Sequence, residues 1–356
     1  MIDLSVQRYA LFALAAAALF GASTPLAKLL LGDLPPLALA GLLYLGSGLG
    51  LLVVHVLGRL LARATPGESK EASLEARDYI WLTGAVISGG VVAPALLMWG
   101  LSGSGASEAS LLLNLEGVVS ILVAAFMFRE AVGARVWVAA AMMLAAGLVL
   151  SWQPHADARL SLHAIAIIGA CFCWALDNNL TRKISANDPV VIAMIKGLVA
   201  GSCNLALAFA LGLHLPATTA LAGALVVGFL GYGVSLVLFI LALRHLGSAR
   251  TAAHFGTAPF IGAAIAIFVL GEPFTGAFVV ALALMVGATW LILTEQHVHP
   301  HVHLPMAHSH RHLHDEHHTH VHHGGEGPEP HAHWHEHSPM AHGHPHLPDL
   351  HHRHKH

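Results

Sequence analysis

The chain has 356 residues, 56% hydrophobic and only 10% charged, with a formal net charge of −3. That little charge leaves too little polar surface to cover a soluble globule, so a large soluble all-α protein is excluded. The near-neutral balance also offers no basic footprint for nucleic acid.

The apolar residues gather in long runs, and about 20 such residues cross a bilayer as a helix. In lipid the backbone must satisfy its own hydrogen bonds, so only helices or closed barrels span it. These runs exceed the ~10-residue alternating strands of a barrel. The spacing predicts ten helices: 8–31, 35–57, 78–101, 106–128, 134–152, 160–181, 189–213, 217–241, 248–270 and 276–294. The first begins without a cleavable leader, because Met1–Arg8 contains Asp3 and the span is too long for a signal sequence. Joints are short and rich in turn residues, such as Gly32-Asp33-Leu34-Pro35-Pro36 and Asn187-Asp188-Pro189. Glycine-rich stretches in the second, third and eighth spans, Gly46-x-Gly48-x-Gly50, Gly84 to Gly90 and Gly228-x-x-Gly231-x-Gly233, allow close helix approach.

The fourth span places Asn114 and Glu116 in mid-membrane. An unpaired carboxylate there costs roughly 3 kcal/mol. Glu116 is therefore expected to face the bundle interior, either carrying a coupling proton or pairing with Lys196 in the seventh span. The sixth span ends Trp174-Ala175-Leu176-Asp177-Asn178-Asn179-Leu180-Thr181, with Asp177 and Thr181 on one face. Asp177 and Asn178 either bind polar groups of a substrate or mark the helix end emerging into water. Tyr232 and Trp99 are cavity walls or core aromatics. His254 and Thr257 share a face in the ninth span, where His254 is either a packing residue or part of a cavity. Cys171, Cys173 and Cys203 read as small buried residues, and no nucleophile–base pair or ATPase motif is present, so an enzyme is not expected.

With the N-terminus in the cytoplasm, 11 Lys and Arg fall inside and 2 outside. This is the retention bias that orients helical membrane proteins, and it places both termini in the cytoplasm. A shift of 142 residues brings Gly105, Ala124, Phe126 and Glu130 onto Gly247, Ala266, Phe268 and Glu272. Halves of five spans each must have opposite topology, the usual build of secondary transporters. The expected organisation is a first repeat over 1–152, a second over 153–296 and a tail over 297–356.

Phe20-Gly21-Ala22-Ser23-Thr24-Pro25-Leu26-Ala27-Lys28, Trp174 to Lys183 and the terminal Glu130 and Glu272 stand in the order and spacing of a known family. Over about residues 8–295 the chain resembles the EamA-type carriers of the drug/metabolite transporter superfamily. The resemblance implies a ten-helix inner-membrane carrier of small organic metabolites, often exporting amino acids. Two positions depart from the family pattern: Leu43 and Lys196 stand where Arg is common, and Glu116-Gly117 stands where Pro259 keeps the proline of the second half.

In the tail, 24 of 60 residues are His, and seven are Pro, so disorder is expected. His297, His299, His301 and His303, and His331, His333, His335 and His337, alternate with other residues. Neutral imidazoles so spaced suit Zn, Ni or Cu. A pH-responsive tail, charging as pH falls through about 6.5, and an inert extension are the competing readings.

The leading expectation is an all-α integral membrane carrier of a small polar metabolite, with no required cofactor and the lipid bilayer as its surroundings. Asn114, Glu116, Asp177, Asn178, Lys196, Tyr232 and His254 would serve substrate and coupling. The alternatives are a divalent-metal (Zn, Ni or Co) transporter fed by the tail, and a sensor that moves nothing. Oligomeric state stays open, a homodimer among the options.

Overall fold

The computed structural model describes residues 4–62, 74–119, 122, 134–153, 159–185, 187–215 and 218–293, and the tail stretches 298–303, 306–312, 331–337 and 340–345. Among the described residues, six helices are long and apolar enough to cross a membrane: Gln7–Leu30, Pro36–Leu60, Asp78–Ser102, Leu162–Thr181, Pro189–Ala210 and Thr219–His245. Ala134–Leu150, Ala258–Phe268 and Gly276–Leu291 are shorter apolar helices. The expected span 106–128 is described only to 119 and at 122, and its closing Glu130 lies outside the described residues.

In chain order the helices are α1 (Leu4–Leu30), α2 (Pro36–Ala62), α3 (Asp78–Ala85), α4 (Ala93–Ser102), α5 (Ala106–Leu112) and α6 (Ala134–Ser151). They continue as α7 (Leu162–Arg182), α8 (Pro189–Ala210), α9 (Thr218–Gly228), α10 (Ser235–Phe255), α11 (Ala258–Phe268) and α12 (Gly276–Leu293). A short strand pair, β1 (Trp152–Gln153) with β2 (Arg159–Leu160), separates α6 from α7.

Wider π-helical turns, Val86–Val92 and Phe229–Val234, join α3 to α4 and α9 to α10. The shift of 142 residues seen in the sequence lays one turn over the other. It also carries the break at Leu113-Asn114 to within a residue of the break at Gly256-Thr257. One expected joint is corrected: α10 runs unbroken across 242–247 to Phe255. No proline interrupts Leu243-Arg244-His245-Leu246, so helical bonding continues and the interruption falls at Gly256.

Large apolar side chains such as Leu11, Leu29, Val53, Ile80, Phe172, Phe209, Phe268 and Trp290 cover the outside, while Lys196, Asp177, Asn204 and Thr181 are buried. That is the arrangement a lipid solvent selects. α2 lies along α8, and Gly48 and Gly197 meet there so closely that a Cβ on either would strike the other helix's backbone. Gly197-x-x-x-Gly201 is the small-residue spacing that permits such crossings. α6 lies along α12 and α5 along α11, and α1 packs on α10 as α7 packs on α4. Exchanging each helix with its counterpart in the other half leaves this pattern unchanged.

In the tail, four stretches form two antiparallel ribbons. β3 (Val298–His303) pairs with β6 (Met340–Pro345), and β4 (Met306–His312) pairs with β5 (His331–His337). Alternation with period two suits a strand. His297 lies outside the described residues.

Candidate functional site

Asp188 accepts hydrogen bonds from the Val190 and Val191 amides, and Pro189 opens α8 at the position where it needs no N–H donor. This cap turns α8 back along α7. Asp177 lies five residues before the end of α7 and Lys196 seven residues into α8. At 1.5 Å per residue both sit about 8–10 Å from the hairpin end. Lys196 Nζ accordingly lies 2.7 Å from Asp177 Oδ1 and 2.8 Å from Oδ2. Thr181 donates to Asp177 Oδ1 at 2.9 Å and accepts from Lys196 at 3.4 Å. Lys196 is 2% exposed and Asp177 4%.

The expected partner of Lys196 is thereby corrected: it pairs with Asp177, not with Glu116. Glu116, just past the break at Leu113-Asn114, accepts instead from the Asn178 amide at 2.6 Å. Asp177 and Asn178 are sequence neighbours, so the ion pair and the carboxylate–amide pair sit side by side on α7. The Asn114 amide contacts Met285 Sδ at 3.6 Å, which ties the break to α12.

The Gly89 carbonyl, inside the first π turn, accepts from Tyr44 Oη at 2.6 Å and Trp174 Nε1 at 3.0 Å. Asn204 donates to the Gly90 and Val91 carbonyls, both at 3.3 Å. These side chains satisfy backbone groups that a π turn leaves unpaired in a medium without water. Gly89 stands against the Asp177 carboxylate, where a Cβ would not fit. Tyr232, in the second π turn, packs its ring 5.3 Å from Tyr44 and 5.7 Å from Phe20, and Phe20 is 5.7 Å from Trp174. The buried Tyr232 hydroxyl lies beside Ser23, and that of Ser110 makes no hydrogen bond among the described residues. Ser110 lines a small cleft with Phe20, Thr24, Leu113 and Pro259.

At one end of the bundle a second polar cluster holds the turn between α4 and α5. Lys28 donates to the carbonyls of Leu101 at 2.7 Å and Ser104 at 2.5 Å. Glu272 accepts from the Ala106 amide at 2.6 Å, and from the Ser107 amide at 2.8 Å and hydroxyl at 2.5 Å. A cation at a helix C-terminus and an anion at an N-terminus both complement the helix dipole. Partial burial pushes the Glu272 carboxyl up. The Ser107 and Ala106 hydrogen bonds and the Lys28 charge outweigh that and hold it below the usual range.

Not every expected residue joins the centre. His254 closes α10, where its carbonyl accepts from the Thr257 hydroxyl at 2.7 Å. Trp99 is 45% exposed and packs on His163 instead. Conversely, Tyr44, Asn204 and Gly89 were not anticipated. Asn204 is an isolated amide in an apolar run, the signal that singled out Glu116. Among the described residues, no group of three His, Cys, Asp or Glu comes together that could hold a metal.

The chain matches the EamA-like transporter family over residues 7–152 and 161–294. It is 29% identical over 272 residues to an uncharacterized transporter of Methanothermobacter thermautotrophicus, covering 72% of this chain and 77% of that one. A crystal structure 18% identical shares the fold, with a TM-score of 0.59 over 81% of this chain and 98% of the other.

Proposed function

The chain belongs to the EamA-like transporter family, a multi-pass membrane protein, and on that premise we propose that it is a secondary transporter of small polar organic metabolites such as amino acids. The observation that carries the reading is the Lys196–Asp177 ion pair, sealed from solvent beside Glu116 and Asn178. A buried ion pair stabilises poorly against apolar side chains of like volume, so its presence calls for a use. A zwitterionic substrate supplies one carboxylate and one ammonium. It can take the place of each partner in turn without leaving a charge unpaired. Tyr232 adds a buried hydroxyl beside Ser23, and Phe20, Tyr44 and Trp174 wall the space.

Two five-helix halves of opposite topology, ten spans in all, alternate access to this centre in the inner membrane, with both termini in the cytoplasm. The matched pattern of π turns, breaks and helix pairs supports this reading. Glu116 carries the coupling proton. Export is the direction that the family resemblance favours. A second reading, a Zn, Ni or Co transporter, draws on the 24 histidines of the tail, but the described residues bring together no group of ligands for such an ion.

Counterflow in proteoliposomes holding the full chain tests the proposal. Labelled amino acids, amines and organic acids are assayed beside Zn, Ni and Co. Exchange of an organic zwitterion, lost in Lys196→Met, is the expected result. Flux of metal alone puts the second reading in its place, and no flux of any compound points to a sensor.

A further inference from the structure

The cleft beside Ser110 lies between the two segments that match the family: Thr24 and Ser110 belong to the first, Pro259 to the second. Turns of α1 connect it in both directions. Lys28, Thr24 and Phe20 stand four residues apart along one side of the helix. Lys28 holds the turn between α4 and α5, Thr24 lines the cleft, and Phe20 packs on Tyr232 and Trp174 at the centre. On α5, Ser110 follows Ala106 by one turn, so the cleft lies about 6 Å below the bonds that Glu272 makes.

This route is shut. A Cβ on Gly21 would strike the Ala258 carbonyl, and one on Gly262 would strike the Gly21 carbonyl and the Ser110 hydroxyl. The packing of α1, α5 and α11 thus leaves the cleft room for about one water. Above it, Gly271 at φ 71° makes a tight left-handed turn, and the Glu272 amide donates to the Ala266 carbonyl at 3.2 Å. That turn aims the Glu272 carboxylate of the second segment at Ala106 and Ser107 of the first.

We propose that Glu272 is the latch of a gate at this end of the carrier. Its three hydrogen bonds between the segments close the route towards Asp177 and Lys196, and they break before the centre opens on that side. This rests on the reading that the two halves alternate access. The chemistry suits a latch. Each bond is charge-assisted and so stronger than a neutral one. The carboxylate is only half-buried, so water replaces the amides readily once the halves part. One turn further in, the buried Ser110 hydroxyl and the Gly21 carbonyl, deprived of its helical donor by Pro25, offer partners to a passing polar group. At the far end of the span Asp78–Ser102, Asp78 Oδ2 accepts from the Asn187 amide at 3.1 Å. Both ends are therefore tied between the segments.

The test uses the full-length protein in detergent without substrate, so it does not depend on which compound is carried. Ser110→Cys places a thiol one turn inside the latch. A water-soluble methanethiosulfonate reagent probes it, and mass spectrometry reads modification at position 110. Adding Glu272→Gln turns one acceptor oxygen into a donor and should speed modification on the order of tenfold or more. Ser107→Ala removes a single bond and should speed it less; it carries the test if Glu272→Gln does not fold. Asp78→Asn, at the far end, should leave the rate as in the parent. Unchanged rates in both latch variants would overturn the gate, while counterflow, and with it the carrier reading, would stand. An equal rise in Asp78→Asn would also overturn it, because the whole bundle would then have loosened.

Discussion

Asp177 and Lys196 form a two-oxygen ion pair, Nζ lying 2.7 Å and 2.8 Å from the carboxylate oxygens, with both side chains almost wholly removed from solvent. Neither charge could stay in that position alone. Their equal depth on the two arms of the α7–α8 hairpin makes the pairing, and Thr181 completes it.

The pair should therefore behave as a unit. Lys196→Met leaves Asp177 uncompensated and is expected to destabilise the protein by about 3–5 kcal/mol, whereas adding Asp177→Leu recovers most of that loss. Transport stays absent in both. Unfolding in detergent reads the first effect and counterflow the second. A double variant as unstable as the single one would show that the charges do not act together.

Glu116→Gln keeps a carbonyl oxygen for the Asn178 amide, so stability should change by about 1 kcal/mol or less. The protein should still exchange substrate between equal pools yet no longer accumulate it along a proton gradient. Flux measured with and without an imposed pH difference makes the comparison. Unchanged pH dependence would remove the coupling role.

Gly89→Ala places a methyl against the Asp177 carboxylate and disturbs the carbonyl that Tyr44 and Trp174 share. Overpacking of this kind costs about 1–3 kcal/mol. Gly117, one residue beyond Glu116, has nothing within 4 Å of its added Cβ. Gly117→Ala should be neutral, or stabilising by about 0.5–1 kcal/mol through helix propensity. Equal effects at the two positions would show that the π turn does not depend on close approach.

Glu272 is held below the usual carboxylate range in the folded state, after a burial effect in the opposite direction. Its contribution to stability is therefore full above the unfolded value, about 4.3, and declines as pH falls through the lower folded value. Partial exposure limits it to about 1 kcal/mol or less. Unfolding temperatures of the parent and Glu272→Gln should converge as pH drops from 6 towards 3. A constant gap would mean that the carboxylate's charge is not what holds the turn between α4 and α5.

Much of this was legible before the fold was known. Asp177 and Thr181 share a face because helical spacing says so, and they are hydrogen-bonded. The glycine-rich stretches mark close helix crossings at Gly46, Gly48 and Gly228. Glu116 and Lys196 stood out as charges in apolar runs, but the sequence could not tell which carboxylate faces the lysine. Glu272 was visible as a repeat marker, whereas its hold on Ala106 and Ser107, 166 and 165 residues away, was not.

By itself the amino-acid order determined that the chain lives in lipid, that its spans are helices and that its few polar side chains turn inward. Those outcomes follow from local runs of apolar residues and from the cost of an unpaired polar group in hydrocarbon, which every arrangement of the spans must respect. Partner choice came from three dimensions. Lys196 meets Asp177, Glu116 meets Asn178, and Tyr44 meets Gly89 because helix depth, helix rotation and two π turns bring those atoms within hydrogen-bond range. Distances of that kind depend on how helices far apart in sequence pack, and no local pattern encodes them.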